Sequence, residues 1–267
     1  MNDVARMEIW QFSLIYLLLL VVLAIMKMSR VHQAKLMVVA SVRMTVQLAL
    51  AGFVLTYLFQ NPHPAFTFTY LAAMTGFAVY RVLQKNRTLN RRFQMIIAGS
   101  VALSGLFVLV FFIYVVVGQS IVSPRYVIPI AGMLMGNTMT GTTLGIKAFR
   151  ENLTGQRARI EVMLNIGATP QRVLLPFARQ ALETALLPTF NAMVGMGIVS
   201  LPGMMTGQIL SGTLPTTAIM YQIAIMIAIC TVVCLSTFGA LFVGYRTLFN
   251  ARNQITLVGV GSGHAEQ

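Results

Sequence analysis

Residues 160–188 read IEVMLNIGATPQRVLLPFARQALETALLP. This is the long polar interruption in an otherwise apolar chain, with runs on both sides long enough to cross a bilayer. Its charges make residues 147–166 a helix that leaves the membrane, with Arg157 one turn from Glu161 and so placed to pair with it. Gly167 is a suitable stop, because glycine accepts the left-handed conformation that closes a helix. Thr169 then stands where a helix cap belongs, and Pro170 at the first helical position, where its missing N–H costs nothing. The pattern predicts a short cross-lying helix over 170–175, stopped by Pro176, and a further helix re-entering the bilayer from residue 177. Two readings stay open: a capped loop that only connects two spans, or a handle gripped by a soluble partner from the cytoplasm.

Composition fixes the solvent. Of 267 residues, 57% are hydrophobic and 9% charged, and the mean hydropathy is +0.78. Soluble domains carry about 25% charged residues, so lipid must take most of this surface. The net charge of +13 invites a nucleic-acid reading, but the bases flank apolar runs and form no binding face, which points to topology and away from nucleic acid. About seven spans follow, over 9–26, 36–59, 66–83, 95–117, 126–148, 185–210 and 217–245, each sufficient for a core about 30 Å thick. All but three of the 19 Lys and Arg residues fall in alternate loops: Lys27, Arg30 and Lys35; Arg81 through Arg92; Lys147 through Arg179; Arg246 and Arg252. Arg6 and Arg125 lie on the opposite side, and Arg43 within a span. The positive-inside rule then places the N-terminus outside and residues 148–184 in the cytoplasm with the C-terminus. We expect one membrane domain over 1–253 and a flexible Gly-rich tail over 254–267. No A-x-A pattern follows the first apolar run, so that run reads as retained.

The spans carry few groups capable of chemistry. Pro129, Pro188 and Pro202 each remove a backbone donor and free a carbonyl, tolerated in lipid only against protein or a wet cavity. Leu201-Pro202-Gly203 is therefore a candidate pathway kink, with simple packing as the alternative. Gly132/Gly136, Gly141/Gly145 and Gly203/Gly207 have the small-xxx-small spacing of closely packed helices. Asn137 lies among them, where an amide needs a partner on another helix or on a substrate. Met133, Met135, Met139, Met204 and Met205 either fill gaps or offer thioethers to a soft ion. Arg43, with Gln47 one turn on, is an anchor or a gating residue. Cys230 and Cys234, one turn apart in an apolar run, read as packing residues and not a disulfide. No His, Asp or Glu lies deep in a span, which fits poorly with a stripped Fe(II) site or with proton coupling. No phosphate-cradling G-x-x-x-x-G-K-[ST] occurs, and neither H-E-x-x-H nor G-x-S-x-G, so neither ATP hydrolysis nor peptide or lipid hydrolysis has a home in this chain.

Glu161, Gly167, Ala168 and the Leu174-Leu175-Pro176 end resemble the EAA loop of ABC-transporter permeases, with Val162 and Met163 in place of the two alanines. A wider resemblance covers nearly the whole chain. VIPIAGMLMGNTM (127–139), LNIGATPQ (164–171), VSLPGMMTGQILSG (199–212), Arg43 with Gln47, and Tyr221-Gln222-Ile223 are similar to the FetB-type permeases. That family includes membrane subunits ascribed to bacterial iron export and plant relatives linked to aluminium tolerance. The resemblance implies an all-α permease of the bacterial inner membrane, paired as a homodimer with two copies of a separate ATPase that holds the ATP and magnesium; this chain would bind no cofactor. Glu161, Gly167, Ala168, Thr169, Pro170 and Arg172 become the candidate coupling residues. Asn137, Met133, Met135, Pro202, Gly203, Met204, Met205, Gln222 and Arg43 become the candidate pathway. Iron is supported by the resemblance and not by the residue chemistry. A gradient-driven transporter, a permease for a non-metal cargo, and a membrane-bound enzyme remain as alternatives.

Overall fold

The computed structural model describes residues 8–61, 63–87 and 89–248. The tail over 254–267, with Arg6 and Arg252, lies outside the described residues. Within them the chain is helical: α1 (Ile9–Met28), α2 (Ala34–Gln60), α3 (Pro64–Lys85), α4 (Arg91–Phe111), α5 (Pro124–Gly155), α6 (Arg157–Asn165), α7 (Pro170–Gly195), α8 (Gly203–Leu210) and α9 (Pro215–Phe238). α4 runs on as a π-helical segment, Phe112–Val117, and α9 as Gly239–Val243, π-helical, followed by a 3-10 turn, Tyr245–Leu248. Local chemistry sets most helix starts. Pro64, Pro124, Pro170 and Pro215 each open a helix at a position that needs no N–H. Asn90 caps α4 by accepting from the Phe93 N–H at 2.7 Å, and its amide donates to the Thr247 carbonyl at 2.9 Å, tying the start of α4 to the C-terminal turn.

α5 is the axis of the bundle, with α3, α4, α7 and α9 packed around it. One buried cluster lies near its C-terminal end, joining Phe93, Phe149, Leu153, Ile160, Leu174, Phe177 and Leu241. A second lies near its N-terminal end, joining Leu109, Ile113, Val127, Leu134, Ile225 and Val232. Between them the helices approach closely. A Cβ on Gly145 would sit 3.0 Å from the Ala181 carbonyl oxygen and 2.9 Å from Thr237 Cγ2, so only glycine fits there. Beside it Thr142 Oγ1 shares a hydrogen bond with Ser236 Oγ at 3.0 Å, pairing polar groups inside the bundle. α1 and α2 lie at the periphery, predominantly apolar and almost unburied, with Leu18, Val39, Leu48 and Phe53 outward. Tyr16 and Thr45 join them through a 2.6 Å hydroxyl bond.

Among the described residues five helices are long and apolar enough to cross a membrane: Trp10–Met28, Ala34–Gln60, Pro64–Lys85, Arg91–Val117 and Pro215–Leu248. The stretches expected at 126–148 and 185–210 differ from those five. α5 is diluted by Thr138, Thr140, Thr142, Thr143 and Asn137, and it is the helix buried among the others. The run 185–210 is not one helix. α7 ends at Gly195, residues 196–202 form an irregular reversal in which Gly197 takes φ +83°, and α8 begins only at Gly203. Pro202 is thus the residue before a helix and not a kink inside one. Pro176 and Pro188 stand inside α7, so no separate helix ends at residue 175. The reason is tertiary. Leu174, Phe177 and Ala178 bury the same face on both sides of Pro176, and the carbonyl it frees, on Arg172, is on an exposed residue. The helix expected over 147–166 is also broken, at Gln156 between α5 and α6.

Candidate functional site

The reversal from α6 to α7 is built as its residues dictate. Gly167 adopts φ +88°. Its N–H donates to the Leu164 carbonyl and the Ala168 N–H to the Met163 carbonyl, both at 3.0 Å, so two carbonyls at the end of α6 are satisfied by a Schellman closure. Ala168 and Met163 pack against the nearby core, the contact that accompanies this closure. Thr169 takes the extended cap conformation and its carbonyl accepts from the Val173 N–H at 3.2 Å, but its hydroxyl makes no capping bond. Pro170 is buried at the first position of α7. Ile160, Val173 and Leu174 are inserted in the same cluster as Phe93 and Phe149. The opposite surface is open: Glu161, Val162, Ile166 and Arg172 are exposed. Arg157 pairs with Glu161 at 2.8 Å across one turn. With both side chains in solvent this orients the carboxylate and adds little stability.

The candidate pathway residues do not form one group. Met135 is buried, its methyl against Gly105, and Met205 is buried too. Asn137 is exposed and bonds back to the Met133 carbonyl of its own helix at 2.8 Å, with no hydrogen bond to another helix. Arg43 is exposed, its guanidinium 5.9 Å from the Phe77 ring centre. Gly136, Gly203 and Gly207 meet no neighbour, so close packing holds for Gly141 and Gly145 but not for them. Cys230 and Cys234 are free thiols.

Met133 and Met204 do converge. They border a cavity of about 530 Å³ at the N-terminal end of α5. Along α5 its wall is Arg125, Pro129 and Met133, a ridge at intervals of four, flanked by Tyr126 and Ile130. α8 contributes Met204 and Gln208, the loop before α9 contributes Thr213, and α9 contributes Tyr221. Gln208 Oε1 is buried without a hydrogen-bond partner. One residue past Tyr221, Gln222 is buried with its Nε2 3.7 Å from Met196 Sδ and its Oε1 also unpartnered. Sequence reasoning missed Arg125, Tyr126, Gln208 and Thr213 as site residues. The four-residue ridge was visible, but nothing in the sequence brings α8 against it. Among the described residues no three His, Cys, Asp or Glu side chains come together as metal ligands.

A helical bundle with five bilayer-length apolar helices and an apolar outer surface is a multi-pass membrane protein. The chain belongs to the UPF0014 family, described as an uncharacterised protein family, whose model matches residues 9–249. It is 30% identical over 250 residues to the Escherichia coli protein named "Probable iron export permease protein FetB", covering 92% of this chain and 94% of that one. The Bacillus subtilis membrane protein YjkA is 28% identical over 253 residues, 93% of this chain and 98% of YjkA. The Arabidopsis thaliana protein ALUMINUM SENSITIVE 3 is 32% identical over 213 residues, 80% of this chain and 77% of that one. The resemblance to FetB-type permeases read from the sequence strings therefore holds. No solved structure matches.

Proposed function

We propose that this chain is the permease subunit of an ATP-driven exporter in the bacterial inner membrane, with about seven passes, its N-terminus outside and α6 in the cytoplasm. Two copies would work with two copies of a separate ATPase that binds the ATP. The supporting observation is the asymmetry of the α6–α7 reversal. One side is locked into the bundle core by Ile160, Val173 and Leu174, and the other presents Glu161, Val162, Ile166 and Arg172 outward. An element held this way transmits a push from a soluble partner to α5 and α7 without first deforming itself. FetB, a relative over nearly its full length, carries the word permease in its name. Iron is the cargo its name offers, although among the described residues no three His, Cys, Asp or Glu side chains come together to hold it.

The test is to isolate the ATPase that this reading requires by co-purification with the full-length chain and to reconstitute the two together. Gly167→Val forces a branched residue into the left-handed region, and Glu161→Arg reverses the exposed charge. Both variants should insert and elute as wild type, yet lower permease-stimulated ATP hydrolysis at least tenfold. Unchanged stimulation in both would remove the coupling role of this reversal.

A further inference from the structure

The cavity at the N-terminal end of α5 has a chemistry of its own. From Arg125 to Gly155 the helix is about 45 Å long at 1.5 Å per residue, so this cavity is far from the α6–α7 reversal. Among the described residues Arg125 is the one charged side chain in its wall, and no carboxylate or imidazole lines it. α5 and α9 both begin beside it, at Pro124 and Pro215, and their first-turn N–H groups add positive potential. A bare cation is repelled by this field and finds no carboxylate or imidazole to hold it. The hydroxyls of Tyr126, Thr213 and Tyr221 can donate to an anion.

One acceptor in the same wall wants a donor. Gln208 Oε1 is buried and unpartnered. An anion with acceptors only would leave it unmet, and a buried unmet acceptor is costly. Ile130, Met133 and Met204 offer an apolar floor beside these groups. A volume of about 530 Å³ is in the range of small-molecule sites. We propose that this cavity binds a small organic anion bearing a hydroxyl group, its carboxylate on Arg125 and its hydroxyl donating to Gln208 Oε1 once that side chain turns out of its buried position into the cavity. Binding at this site does not depend on ATP coupling; that the bound anion is also the exported cargo rests on the permease reading.

The test uses the purified full-length chain in detergent, without any ATPase, and titration calorimetry with three probes: citrate, tricarballylate (citrate without its hydroxyl) and glycerol. Citrate should bind saturably, tricarballylate at least tenfold more weakly, and glycerol not detectably. Arg125→Ala should weaken citrate at least tenfold, with Arg125→Lys in between. Gln208→Leu should bring citrate down to the level of tricarballylate. No saturable citrate binding by the wild type, or citrate binding equal in Arg125→Ala, would overturn the site. Equal affinity for citrate and tricarballylate would overturn the hydroxyl assignment. The outcome is separable from the coupling test: citrate binding beside an unstimulated ATPase keeps the site and removes the motor.

Discussion

The two ends of α5 are built on opposite principles. At the C-terminal end the chain reverses tightly between α6 and α7, the end of α6 is closed by paired carbonyls, and Leu174 and Phe149 are fully buried. At the N-terminal end helices break off early, residues 196–202 wander, and the amide oxygens of Gln208 and Gln222 are buried without partners. A satisfied, densely packed end resists deformation and is suited to passing on force. An end with unmet polar groups and an open cavity is suited to receiving a ligand.

Substitutions can break the contrast. Leu174→Ala empties a fully buried site at the packed end and should cost about 3 kcal/mol. Met204→Ala, on the half-buried wall of the cavity, should cost well under half of that. Thermal unfolding of the two variants side by side checks the difference, and equal losses would erase the distinction between the ends. Between the two ends, Gly145→Ala drives a methyl to within 3.0 Å of the Ala181 carbonyl oxygen and should cost about 2 kcal/mol. It should also separate α5 from α7, seen as a slower-migrating, protease-sensitive form.

How much of this the sequence discloses follows the same division. Gly167 and Pro170 were legible because a helix end is local chemistry: the residue types that fit a left-handed turn and a first helical position are few; Thr169 holds the cap position, but its hydroxyl makes no capping bond. The Arg157–Glu161 pair was legible for the same reason. Pro176 misled, because the burial of Leu174 and Phe177 outweighs one lost hydrogen bond, and that burial is not written in the neighbouring residues. The break at 196–202 was hidden within an apolar run that reads the same whether straight or folded back. The cavity was the least visible, since Arg125 and Gln208 are brought together only by the packing of α8 on α9, which in turn stands against α5.

Smaller effects refine the comparison. Thr142→Val deletes the hydroxyl shared with Ser236 and should cost about 0.6 kcal/mol, the usual worth of such a bond between membrane helices. Arg157→Ala removes a solvent-exposed pair and should shift stability by no more than about 0.5 kcal/mol. A larger loss on chemical unfolding would mean that Glu161 does more for the fold than its exposure allows.

The central claim is that the α6–α7 reversal faces the cytoplasm while the cavity opens on the other side. It is tested by single cysteines in a background with Cys230 and Cys234 replaced by alanine. Thr169→Cys and Ser211→Cys are treated in intact cells with a membrane-impermeant thiol reagent, before and after permeabilisation. The account predicts that Ser211→Cys is labelled from outside and Thr169→Cys only after the membrane is opened. Labelling of Thr169→Cys in sealed cells would contradict it.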